Sequence, residues 1–242
     1  MVRGVGAHGG ASAVAQDYLK ILWAANEEGL EGLSVNELAQ RSGVVASTAS
    51  ENVRRLVSQG LVTHAPYRKV HLTQAGWQAA LGTVRRHRLL ETYLHDMLGF
   101  DWDEVHEEAE ILEHAVSDRL LSRIDAALGH PRRDPHGDPI PSPDGQVDAP
   151  ETVSLGEVPP KTWVKVARVS DRDPQLMRNL EDLGVGLDVE VLVEDSAEAG
   201  EGLRIHIRGD QRCDAAEEGS TCTESTSINE ATAEAIQVLA KG

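Results

Sequence analysis

His106, Glu110, Glu113 and His114 fall at i, i+4, i+7 and i+8. On a helix of 3.6 residues per turn that spacing confines all four side chains to about 100° of arc, so all can point at one place. Two imidazoles and two carboxylates converging in this way are the donor set of a divalent-metal site. A second pair, His87 and Glu91, stands one turn apart in the stretch Val84 to Leu98, whose pattern predicts another helix. A solvated acidic helix with incidental histidines accounts for any single Glu here, but two helices each presenting His and Glu at one-turn spacing favour metal. His95, His130 and His136 do not share the spacing and are given no metal role. The rival chemistry is metal-assisted hydrolysis at an open coordination position. Neither His-Glu-x-x-His nor Gly-x-Ser-x-Gly occurs, and no nucleophile stands beside a base, so the residues do not favour it. Such an enzyme would turn over a substrate, whereas a site that only binds metal would catalyse nothing.

The elements that must position these groups follow from periodicity. Val105, Ala109, Leu112, Val116 and Leu120 form an apolar stripe about one residue step around the same predicted helix, which puts the ligands at the edge of its buried face. Upstream, residues 34 to 73 read as helix, tight turn, helix and two-stranded wing. The first helix opens at Ser34 with Glu37 three residues on, a capping box, buries Val35, Leu38 and Ala39, and stops at Ser42-Gly43. The second runs from about Ser47 to Gln59 and buries Ala49, Val53, Leu56 and Val57. Its outward residues, Ser47, Thr48, Ser50, Glu51, Arg54 and Arg55, suit a major groove, where hydroxyls meet bases or phosphates and arginines fix the backbone. Gly60-Leu61-Val62 and Val70-His71-Leu72-Thr73 flank Arg68-Lys69, which fits a hairpin whose basic tip touches phosphate. A helical hairpin that merely packs would share the helix pattern; the appended basic wing favours DNA.

The whole chain, 242 residues with a formal charge of −17, at first argues against nucleic acid. The charge is uneven: residues 1–73 carry seven Lys/Arg against six Asp/Glu, residues 74–145 seven against fourteen, and the rest nine against twenty. Only the N-terminal third could face DNA, while the acidic middle could attract cations. No stretch approaches the roughly 18 to 20 apolar residues of a membrane span, and the N-terminus lacks the apolar core of a signal peptide; a cytoplasmic location is expected. Cys213 and Cys222 have no Cys-x-x-Cys or His partner and read as reduced thiols. The Pro/Gly/Asp-rich run Pro131 to Pro150 reads as a linker. Beyond it, Trp163 to Val169, Val189 to Val193 and Leu203 to Ile207 read as strands, with a short helix over Pro174 to Leu183 stopped by Gly184.

The segments A-V-A-Q-D-Y-L-K (13–20), S-T-A-S-E-N-V-R-R-L (47–56), R-R-H-R-L-L-E (85–91), V-H-E-E-A-E-I-L-E-H-A-V-S-D (105–118) and P-H-G-D-P-I-P (135–141) together resemble the iron and manganese regulators named after the diphtheria toxin repressor. The resemblance covers nearly the whole chain, from Val14 to about Leu239. It implies a mainly α protein with a C-terminal β domain: a winged helix-turn-helix DNA-binding domain (1–73), a helical metal-binding and dimerisation domain (74–145), a linker (146–162) and an SH3-like, FeoA-like small barrel (163–242). It further implies a homodimer on double-stranded operator DNA, a repressor of metal-uptake genes with no membrane and no small organic substrate as partner. One metal site would comprise Asp17, Glu110, Glu113 and His114, and a second His87, Glu91 and His106, with Asp171, Asp173 or Gln175 as candidates to complete it. Iron-responding members commonly have Met near the position of Asp17 and Cys at that of Glu110. Carboxylates at both positions resemble the manganese branch, since hard oxygen donors suit Mn²⁺. Fe²⁺ also accepts carboxylate and imidazole, so an iron(II)-dependent regulator of the same architecture is the alternative. Some manganese members carry Glu three residues beyond that Asp. Lys20 stands there in this chain, which predicts two separate metal sites per subunit rather than a closely spaced pair of ions.

Overall fold

The computed structural model describes residues 12–196, 202–208 and 225–240. It divides into two compact units, one of Met1–Leu90, Ala109–Pro131 and Ile140–Val147, the other of Glu91–Glu108, Arg132–Pro139 and Asp148–Gly242. Cys213 and Cys222 lie outside the described residues. Among the described residues no helix is long and apolar enough to cross a membrane.

In the first unit α1 (Ala13–Glu27) starts at Ser12, whose hydroxyl accepts from the Ala15 N–H. It buries Ala15, Tyr18, Leu19, Leu22 and Trp23, an i, i+3, i+4, i+7, i+8 face that packs with Leu38, Ala49, Val53, Leu56 and Leu81. The expected capping box is present on α2 (Val35–Arg41): Glu37 N–H donates to the Ser34 hydroxyl and Ser34 N–H to the Glu37 carboxylate. α3 (Ala46–Ser58) buries Ala49, Val53 and Leu56, while Val57, expected inside, is 40% exposed because it lies beyond the edge of that stripe. The wing pairs β1 (Val62–Thr63) with β2 (His71–Leu72) antiparallel, and Leu33 bridges Val70, tying the wing to the start of the helix-turn-helix. Gly76, in the first turn of α4 (Gln74–Leu98), lets the backbone approach Leu61; a Cβ there would sit 1.9 Å from the Leu61 carbonyl oxygen.

The helix expected to run through His114 towards Leu120 is instead two. α5 spans Val105–Leu112, and α6 spans Asp118–Ala127 with Ser117 as its N-cap. Glu113 still donates to the Ala109 carbonyl at 2.8 Å, but Ala115 and Val116 both donate to Leu112, which closes the turn. Ser117, able to bond the Leu120 N–H with its hydroxyl, restarts the chain as a new helix. Val105 and Ala109 are buried as the apolar stripe requires, whereas Leu120 falls on α6 and is 50% exposed.

The second unit holds a six-stranded antiparallel sheet in the order β3 (Thr152–Ser154), β8 (Ile236–Leu239), β4 (Thr162–Val169), β5 (Glu190–Ser196), β6 (Leu203–Ile207) and β7 (Thr226–Ile228). Register shifts at Val166/Arg168 and Val193/Ser196 bend the ladder. Its core gathers Val166, Val169, Val191, Val193, Ile205 and Val238 with Met177 and Leu180 of α7 (Pro174–Asp182). α7 has Pro at its start and Gly184 with φ +73° at its end, as its sequence predicts. The stretch read as a linker is not free chain: β3 pairs with β8, Leu155 is fully buried, and in the preceding Pro-rich run Asp134, His136 and Asp138 are buried polar residues. α8 (Glu230–Ala235) precedes β8.

Candidate metal centre and DNA-facing surface

Asp17 on α1 meets Glu113 and His114, just past the end of α5, with one ligand atom of each within 4.8 Å of the others. His114 Nδ1 lies 2.9 Å from Gln16 Oε1, so Nδ1 donates there and Nε2 is turned towards Asp17. That Nε2 lies 2.9 Å from Asp17 Oδ1, a buried carboxylate oxygen with no hydrogen bond of good geometry. Burial pushes the Asp17 carboxyl above its ordinary range, against the pull of His114. A carboxylate oxygen and an imidazole nitrogen at this separation suit joint ligation of one cation. The residues therefore fit a divalent ion, for which oxygen and imidazole donors in this number are suitable.

The carboxylate of Glu113, with a fully buried side chain, is held from both sides. His87 Nδ1 reaches its Oε2 at 2.7 Å, and Lys20 Nζ reaches Oε1 at 3.0 Å and Oε2 at 3.1 Å. Burial alone would raise the Glu113 carboxyl, but His87 and Lys20 more than reverse it and hold it below its usual value. Glu110 is bound by the same Lys20 ammonium through a short ion pair. Of the first expected set, Asp17, Glu113 and His114 thus come together, and Glu110 is joined to Glu113 through Lys20.

In the second unit Glu91 on α4, His106 on α5 and Asp171 on the loop before α7 bring their ligand atoms within 4.8 Å. His106 Nδ1 lies 3.1 Å from Glu91 and 3.2 Å from Asp171. The bonds to Asp171 and then Glu91 outweigh burial and raise the imidazole to about 10, and although burial opposes it, His106 holds Asp171 down at about 2. Asp173 is engaged as the N-cap of α7, accepting from Gln175 N–H and Leu176 N–H, and the Gln175 side chain donates to Asn179. Asp173 is in none of the donor groups found among the described residues.

Spacing on helices missed a further pair. Asp134 and His136, in the Asp-Pro-His-Gly-Asp turn, stand with Glu91, all three buried and their ligand atoms within 4.8 Å. His136 Nε2–H donates to the Trp102 carbonyl at 3.0 Å, and the ring stacks on Trp102. The lone pair at Nδ1 is left buried without a hydrogen bond, the arrangement a backbone carbonyl imposes on a ligating histidine. The signal that could have found it was three polar side chains within five residues of a Pro/Gly loop. His130 is paired with Asp125, and His95 with Asp96.

On the DNA-facing side, Ser47, Thr48, Glu51, Arg54 and Arg55 are exposed and Ser50 half-buried, on the face of α3 opposite Ala49, Val53 and Leu56. No side chain caps α3; its N-cap is Val45, so the first N–H groups are open to an outside acceptor such as phosphate. Arg68 and Lys69 are exposed at the wing tip beside Tyr67, which is fully exposed and held at φ 63°.

Residues 11–70 match the family described as iron dependent repressor, N-terminal DNA binding domain; residues 73–142 match iron dependent repressor, metal binding and dimerisation domain; residues 153–216 match the FeoA domain. The iron-dependent repressor IdeR of Mycobacterium tuberculosis is 33% identical over 204 residues, 79% of this chain and 87% of that protein. The chain belongs to the diphtheria toxin repressor family of metal-dependent transcriptional repressors. The diphtheria toxin repressor of Corynebacterium glutamicum is 32% identical over 184 residues, 72% of this chain and 80% of that one. A solved manganese-dependent transcriptional repressor in complex with manganese is 47% identical, with a TM-score of 0.82, covering 94% of this chain and all of that one. Membership in the diphtheria toxin repressor family assigns the DNA-binding, helical dimerisation and SH3-like FeoA parts, and makes the chain a repressor, not an enzyme, with operator DNA and a second copy as partners.

Proposed function

We propose that this chain is a manganese-dependent repressor of metal-uptake genes, acting in the cytoplasm as a homodimer on palindromic operator DNA. The observation that carries the reading is the convergence of Asp17, Glu113 and His114, with one ligand atom of each within 4.8 Å of the others. Asp17, Glu113 and His114, with Glu110 beside them, are the regulatory centre. Glu91, His106 and Asp171, with Asp134 and His136, are the second; Asp173 and Gln175 serve α7, and His87 orients Glu113. Bound at the first centre, manganese supplies a double positive charge shared by α1 and the end of α5. Gln16 keeps His114 in the tautomer that presents Nε2, and His87 keeps Glu113 turned inward. With α1 held, the two recognition helices of a dimer match half-sites about one or more turns apart, whereas free reorientation without metal lowers affinity. Ser47, Thr48, Ser50, Glu51, Arg54 and Arg55 meet the major groove, and Arg68 and Lys69 the phosphates.

Carboxylate and imidazole donors without sulfur favour Mn²⁺ over softer metals, and the 47% identical structure is that of a manganese-dependent repressor. The iron(II) alternative draws on the mycobacterial relatives, which are iron-dependent repressors by name. Anaerobic titration of operator binding with Mn²⁺ and Fe²⁺ at fixed salt, with a chelator control, decides between them. Tighter binding with Mn²⁺ at micromolar levels supports manganese, preference for Fe²⁺ transfers the chain to the iron reading, and metal-independent binding overturns both.

A further inference from the structure

Tyr67 occupies a place that the isolated chain would give to glycine. The wing tip is a turn in which the Ala65 carbonyl accepts from the Arg68 N–H at 3.0 Å. Pro66 at its second place and φ 63° at its third mark a type II turn, whose third place usually belongs to glycine or asparagine. That left-handed backbone strains a residue with a Cβ, whereas glycine adopts it readily. Packing recovers nothing, since Tyr67 is fully exposed and its ring buries no apolar surface. The base of the wing is firm all the same: β1 pairs with β2, and Leu33 and Val70 exchange backbone hydrogen bonds at 3.2 and 2.7 Å. A strained aromatic residue held out from a firm base points to a partner outside the chain. Arg68 and Lys69, exposed beside it, make that partner a polyanion.

We infer that Tyr67 enters the minor groove of the operator with its ring edge-on between the sugars and its phenol O–H on a base acceptor, so that the wing selects A·T over G·C pairs there. The inference rests on the reading of α3 and the wing as the DNA-facing surface. The minor groove, about 6 Å wide, excludes a helix or a ribbon but admits one flat ring. At A·T pairs its floor presents only the acceptors A N3 and T O2, which a phenol donor satisfies. At G·C pairs the guanine N2 amino group stands up from the floor in the space the ring would take. Runs of A·T also narrow the groove, which brings its walls onto the ring and deepens the negative potential that Arg68 and Lys69 meet. Tyr67 thus adds sequence preference to a wing whose two cations, by themselves, bind any phosphate backbone alike.

The full-length chain with Mn²⁺ first selects its own duplex from a random pool. Affinities are then measured at fixed salt on copies in which each A·T pair outside the α3 contacts becomes G·C or inosine·C, the latter having the G·C major-groove face without the minor-groove amino group. For wild type, G·C at one or two pairs per half-site should cost at least fivefold, and inosine·C should restore binding. Tyr67→Gly suits φ 63° and should melt at or above the wild-type temperature. It should bind the selected duplex at least fivefold more weakly, treat the three pairs alike at those positions, and keep the wild-type dependence on salt because no charge is lost. Tyr67→Phe, with the ring but no donor, should fall between the two. Wild-type affinity in Tyr67→Gly, an A·T preference that survives in it, or inosine·C behaving as G·C overturns the inference. An unchanged salt dependence in Arg68→Ala with Lys69→Ala overturns instead the reading of the wing as DNA-facing, whatever Tyr67 does.

Discussion

Asp17 lies with its Oδ1 buried, 2.9 Å from His114 Nε2. Burial and Glu113 disfavour its charge while His114 and Lys20 favour it, so its own contribution to folding is small. Asp17→Ala is therefore expected to melt close to the wild-type temperature without metal, yet to lose most of the stabilisation by Mn²⁺ and the metal-dependent gain in operator affinity. Paired thermal melts with and without Mn²⁺ check the first part, and operator titration the second; a variant retaining the full metal response would remove Asp17 from the centre. Asp188 makes a different point about charge. Arg133 and Lys165 hold its carboxyl down at about 2, against 3.8 ordinarily. A carboxyl depressed on folding stabilises above its ordinary value and loses that contribution as pH falls through about 2. Asp188 is half exposed, so the effect is small, under about 1 kcal/mol. Asn tolerates the left-handed backbone of this residue, φ 65°, so Asp188→Asn isolates the charge. It should melt a few degrees lower than wild type at pH 7 and converge with it near pH 2. At this scale the sequence made His106, Glu110, Glu113 and His114 visible because they fall at helical spacing in one short stretch, although α5 itself ends at Leu112. Asp17, nearly a hundred residues away, carried no local signal and entered only through the family resemblance.

The elements explain which further groups escaped notice. A search at helical spacing cannot register a loop, and Asp134 and His136 are brought to Glu91 by a turn. That turn is pinned: His136 carbonyl accepts from Val169 N–H, Asp134 accepts from the N–H groups of His136 and Asp138, and Gly137 at φ +91° lets the chain lie against β4. A Cβ on Gly137 would stand 2.1 Å from the Ala167 carbonyl oxygen, which backbone cannot yield. Gly137→Ala should displace the turn, lower the melting temperature and remove the second metal ion while sparing the first, as counted by equilibrium dialysis. β4, β5, β6 and α7 were legible from β-branched runs and from Pro and Gly punctuation, whereas β3, β7 and β8, only three or four residues long, were not. The break between α5 and α6 was not, because Ser117 fits a helix interior as well as a cap and only the closing turn at Leu112 decides. The wing was legible from its basic tip. Arg68→Ala with Lys69→Ala should weaken binding to all DNA sequences alike and flatten the dependence of log affinity on log salt by about 2.

For the molecule as a whole, the two compact units each supply a donor set from their own residues: Asp17, Glu113 and His114 in one, Glu91, Asp134, His136, His106 and Asp171 in the other. Net charge alone, −17, argued against DNA and was misleading because the acidic excess lies beyond residue 73, away from α3 and the wing. The division of donors makes a strong claim about linkage. If metal acts on DNA affinity by holding α1, then only the centre containing Asp17 should transmit it, and the other should act through the stability of its own unit. Asp17→Asn and His136→Ala should each cost one Mn²⁺ per chain and the double variant two. Operator binding should then part company with stoichiometry: His136→Ala keeps a metal-dependent gain in affinity of at least tenfold, whereas Asp17→Asn retains almost none. Equal loss of the DNA response in both single variants would mean that filling the second centre is itself required for the switch, and that control of α1 alone does not account for repression.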